Sequence, residues 1–153
     1  MLFWTIVFIT YYVAQLFKGN LYYNSITKGA DIAIKQALEQ DTDKRCKLGN
    51  EFLKVSYPIF LAIILVLIEV IYLVSAIRLD TYRFPTIILI FFTLGSMIFK
   101  KKTNAKNYDL NTENGRFNYK TEIGKIKKYS FKTIIVSAVF LGYFCYMFTI
   151  LIK

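Results

Sequence analysis

The sequence predicts an all-α integral membrane protein with four transmembrane helices, both termini outside, and two long basic cytoplasmic loops carrying short helical pieces. Three observations carry this expectation. Of 153 residues, 56% are hydrophobic and 18% aromatic, and the mean hydropathy is +0.42, more apolar surface than a water-exposed fold tolerates. The apolar residues fall into blocks at 2–17, 58–77, 84–99 and 133–152, each long enough to cross the roughly 30 Å hydrocarbon layer, the first and third barely. The net charge of +10 sits almost entirely between the first and second blocks and between the third and fourth.

The first block has no basic residue ahead of it, and Lys18 follows it. A secretory signal shows the reverse order, so a permanent first helix is expected. Pro58 and Pro85 stand at the starts of the second and third blocks, where the missing N–H costs nothing because the first helical turn has no acceptor for it. Ser56 is then the expected N-cap of the second helix.

Lys and Arg are retained on the cytoplasmic side during insertion. Lys18, Lys28, Lys35, Lys44, Arg45, Lys47 and Lys54 occupy 18–57; Lys100, Lys101, Lys102, Lys106, Arg116, Lys120, Lys125, Lys127, Lys128 and Lys132 occupy 100–132. Arg78, Arg83 and Lys153 are left for the opposite side. Four crossings put the two basic loops on one face, so helix count and charge split agree. The alternative is that the first or third block is re-entrant or interfacial.

In 18–57, DIAIKQALEQ reads as a short amphipathic helix with Asp31 as N-cap and Ile34, Ala37 and Leu38 on one side. Gly29 and Gly49 read as breaks. EQDTD resembles the short acidic pair that some nucleotide-sugar enzymes use to hold a metal, but it lacks the phosphate loop and the glycine of a calcium loop, and a solvated turn is the favoured reading. In 100–132, Asn114-Gly115 suggests a tight hairpin, and TEIGKIKKY from Thr121 a short basic helix with Ile123, Ile126 and Tyr129 toward the membrane. The clusters Lys100, Lys101, Lys102 and Lys125, Lys127, Lys128 are the expected contacts with anionic headgroups, worth about 1 kcal/mol per lysine near the surface. Without a stacking-aromatic motif or recognition helix, no nucleic-acid partner is expected.

Within LIEVIYL, Glu69 is the one ionisable acid or base inside a predicted span. At 1.5 Å per residue it lies about 12 Å from one end of its helix and about 16 Å from the other. An ionised carboxylate there costs at least about 2.5–3.5 kcal/mol, so a protonated, paired or wetted group is expected. Ala62 and Ala76, two turns either side, permit close helix approach and point that face into a bundle, with Tyr72 the nearest partner in sequence. Ala138 and Gly142 form a second small-xxx-small pair suited to packing in the last helix.

The chain has no histidine, which excludes His-based metal sites and His general-base catalysis. No Ser or Cys stands beside an evident base, and Cys46 and Cys145 lie in different environments and in no metal or redox motif. No catalytic residue, metal or cofactor is expected. Unpaired Cys46 and the charge asymmetry fit a bacterial cytoplasmic membrane. The favoured function is contact with another membrane protein, as an accessory subunit or an immunity-type protein. The alternative is a proton- or cation-coupled transporter built on Glu69 in a homo-oligomer. Four helices with one membrane glutamate resemble in outline the small multidrug-resistance transporters, which share a carboxylate across a dimer; those carry the acid in the first helix and have short loops.

Overall fold

A computed structural model describes residues 1–98 and 108–153. Among them are six helices, α1 Leu2–Lys18, α2 Tyr23–Leu38, α3 Thr42–Ala76, α4 Phe84–Ile98, α5 Glu113–Gly124 and α6 Phe131–Ile152, and no strand. Two of them, α3 and α6, are each long and apolar enough to cross a membrane, and α1 with α2 together make a third candidate. The apolar α4 is shorter. The helices group into two compact units, one of residues 1–20, 64–98 and 129–153, the other of 21–63 and 108–128.

Apolar blocks one, three and four become α1, α4 and α6 with ends close to those expected, because hydrophobic run length sets them. Pro85 lies in the first turn of α4, where its ring is tolerated. The second block behaves differently. Helix α3 begins at Thr42 and carries Pro58 in its interior, so Pro58 marks no boundary and Ser56 is no N-cap. Strong helix formers on both sides, KLGNEFLKV before and IFLAIILVL after, carry the helix through the one hydrogen bond that proline removes.

In the first unit, four aromatic rings of α1 and α6 form the centre of the core. Phe8 stacks on Phe144 at 4.8 Å and Tyr12 on Phe140 at 5.0 Å. The pairing falls on α6 as it rises on α1, so the two helices are antiparallel. By the same argument Thr5–Tyr72 and Tyr12–Glu69 make α1 antiparallel to α3, and Thr86–Tyr143 with Phe92–Phe140 makes α4 antiparallel to α6. Leu73, Ala76, Leu89 and Met147 complete the buried cluster. Chain direction therefore alternates through α1, α3, α4 and α6.

In the second unit, α2 starts eight residues ahead of Asp31 and runs through it, leaving Asp31 exposed in its third turn rather than at its N-cap. Ala30 and Ile34 are buried, whereas Leu38 is exposed. Gly29 and Gly49 are helical and make no break; a Cβ at Gly29 would stand 3.6 Å from the Phe52 ring and one at Gly49 3.5 Å from the Gln36 amide, ordinary van der Waals contact. The acids of EQDTD form the turn between α2 and α3, with Glu39 accepting from the Asp41 N–H and Asp41 from that of Asp43.

Helix α5 replaces the expected hairpin. Thr112 caps it, its hydroxyl accepting from the Gly115 N–H at 3.1 Å, so capping chemistry overrides the turn preference of Asn114-Gly115. Gly115 is required there, because a Cβ would lie 2.0 Å from the Asp109 carbonyl oxygen. The helix ends at Gly124, and Lys125, Lys127 and Lys128 follow in non-helical chain. The expected basic helix through Tyr129 does not form, as Gly124 ends it. Lys100, Lys101 and Lys102 lie outside the described residues.

Candidate functional site

Two buried acids define the polar interior of the first unit. Glu69, in α3, is 6% exposed. Its Oε1 accepts a hydrogen bond of 2.7 Å from the Tyr12 hydroxyl of α1. Tyr72, the expected partner, instead shares a 2.8 Å bond with the Thr5 hydroxyl. The reason is geometric. Successive turns of one helix project side by side, while the antiparallel α1 presents Thr5 and Tyr12 across the interface, two turns apart on one face. Glu69 and Tyr72 of α3 are thereby both tied to α1.

The small residues divide. Ala76 is fully buried and Ala62 half-buried. Ala138 and Gly142 are exposed, and a Cβ at Gly142 would meet no atom within 4 Å. Among the described residues that pair does not serve as a helix-packing contact. The residues of α6 that do pack are Phe140, Tyr143, Phe144 and Met147, so large aromatic surfaces take the place of small-residue contact.

Asp80, in the turn between α3 and α4, is a group that the sequence reading passed over. It is 3% exposed. Its Oδ1 accepts from the Tyr82 N–H at 3.1 Å and the Tyr146 hydroxyl at 2.7 Å; its Oδ2 accepts from the Thr86 N–H at 3.2 Å and the Thr86 hydroxyl at 2.6 Å. Four donors fill the lone-pair positions of one carboxylate. Burial pushes the Asp80 carboxyl up, but the Thr86 and Tyr146 hydroxyls and the two backbone N–H groups outweigh it and hold it below its ordinary value.

The same network has a direction. Thr86 has one hydroxyl hydrogen and gives it to Asp80, so in its 2.8 Å bond with Tyr143 the tyrosine must donate. Tyr143 donates to Thr86, Thr86 to Asp80, and Tyr146 to Asp80 from the other side. The turn is fixed to α6 through two tyrosines one helical turn apart. Arg83, within this turn, adopts φ 58, a left-handed conformation that few non-glycine residues take. A sequence signal existed: Asp80 is an acid four residues ahead of an apolar helix with proline in its first turn.

One polar atom of the core stands apart. The Ser137 hydroxyl on α6 is buried with no hydrogen-bond partner among the described residues. Among the described residues no group of three or more His, Cys, Asp or Glu side chains comes together as a metal site would need. Both cysteines are free and exposed.

Fold and interior together define an all-helical protein with two or three helices fit to span a membrane and internally bonded buried acids. No family model matches the chain, and no curated protein or solved structure matches it.

Proposed function

We propose that this chain is a small non-catalytic membrane protein that acts by protein–protein contact, as an accessory subunit of a membrane complex or an immunity-type protein. The observation that carries the reading is the use made of the buried acids. Asp80 is saturated by donors of its own chain, and Glu69 ties α3 to α1. Chemistry on a substrate would need a group left over for it.

The reading includes four spans formed by α1, α3, α4 and α6, with both termini outside and 18–57 and 100–132 in the cytoplasm of a bacterial cell. Alternating helix direction and the placement of the basic residues support it. At 35 residues α3 is about 52 Å long, well over the hydrocarbon thickness, which leaves its polar first turns in water. Lys125, Lys127 and Lys128 are exposed, which supports contact with anionic headgroups.

The second reading, a proton- or cation-coupled transporter working as a homo-oligomer, is favoured by Glu69 itself, a carboxyl inside an apolar helix with a neutral donor. Native mass spectrometry of protein purified in mild detergent, with proton release measured on adding cations or lipophilic compounds, separates the two. Contact function predicts co-purifying foreign subunits and no proton signal. A homo-oligomer whose proton release disappears in Glu69→Gln would overturn it.

A further inference from the structure

At the Asp80 end of the first unit, a groove of about 280 Å³ opens between the α3–α4 turn and the last turns of α6, lined by Thr81, Tyr82, Tyr146, Thr149, Ile150 and Lys153. Asp80 sets both of its walls. One carboxylate oxygen holds the Tyr82 backbone on one side and the Tyr146 hydroxyl on the other, and the Thr149 hydroxyl is bonded back to the Tyr146 carbonyl. The walls are hydroxyl-bearing, Ile150 supplies apolar surface, and Lys153 adds a cation.

The charges at this end do not balance internally. Arg78 and Arg83 lie in the same turn and Lys153 lines the groove, yet none makes an ion pair among the described residues. The unit's described residues include two acids, Glu69 and Asp80, and both are bonded to neutral donors. Three cations against the one carboxylate of Asp80 leave this end net positive. Tyrosines at helix ends sit at the depth of lipid headgroups, where the abundant anion is a phosphodiester.

We propose that this groove binds the headgroup of an anionic phospholipid, with the Lys153 ammonium facing the phosphodiester. The proposal rests on the helices crossing a bilayer and is independent of whether the protein acts by contact or by transport.

The test is native mass spectrometry of the full chain in mild detergent, titrated separately with phosphatidylglycerol, phosphatidylcholine and inorganic phosphate. The expected result is preferential retention of phosphatidylglycerol. Lys153→Gln, an exposed helix-end change that leaves the core intact, weakens that retention about fivefold, the effect of one lysine near an anionic surface. Replacing Lys125, Lys127 and Lys128 together by Gln leaves the Lys153-dependent retention in place. Equal retention of the two lipids, a preference unchanged by Lys153→Gln, or phosphate held as well as the lipid would each overturn the proposal.

Discussion

Glu69 and Asp80 are the two acids of one helical unit, both almost wholly buried, and they are handled in opposite ways. Glu69 sits in mid-helix, where its own backbone offers no spare N–H, and it takes one hydroxyl from a neighbouring helix. Asp80 sits in a turn, where backbone N–H groups are free to be captured, and it takes four donors. A buried carboxylate is stabilised by the donors around it rather than by burial. The turn can supply such donors and a continuous helix cannot.

The strongest way to break the comparison is at Asp80. Asp80→Ala orphans two hydroxyls and two backbone donors, and a loss of about 3 kcal/mol is expected in denaturant unfolding in detergent. An equal loss for Glu69→Gln would erase the contrast. Next is pH. Asp80 has a lowered native value, so its contribution is complete above the unfolded value near 4 and is lost as pH falls through the native one. Thermal unfolding followed downward from pH 5 should show that loss in the wild type and lack it in Asp80→Asn.

Smaller effects sharpen the contrast. Tyr12→Phe removes the donor to Glu69 while keeping the stacked ring, and about 1 kcal/mol is expected, against under about 0.6 kcal/mol for Glu69→Gln, which keeps an acceptor for Tyr12. Ser137→Ala should be neutral or stabilising by up to about 1 kcal/mol, because the hydroxyl it removes has no partner among the described residues. A clear destabilisation on melting would show that Ser137 is bonded after all.

How far the sequence discloses this molecule follows from what is local. Apolar run length locates α1, α4 and α6, and the positions of Glu69 and Ala76 in the core follow from helical periodicity. Pro58 misleads because one proline is weighed against two long helical segments, a sum over many residues that no single signal represents. The partner of Glu69 is missed because it lies across an interface in α1, whereas sequence proximity offers Tyr72. Asp80 goes unread for the converse reason: its turn partners are close in sequence, but Tyr143 and Tyr146 look like ordinary span aromatics until the fold brings them to the turn. Ala138 and Gly142 fit a packing pattern that this chain meets with stacked rings.

The direction of the Asp80 network bears on what can pass through this end of the unit. Tyr143 donates to Thr86, and the Thr86 and Tyr146 hydroxyls both donate to one carboxylate. A proton relay needs an acceptor beyond each donor, and here the sequence of bonds ends on an anion with every lone pair taken. Onward transfer past Asp80 would require these bonds to reverse together.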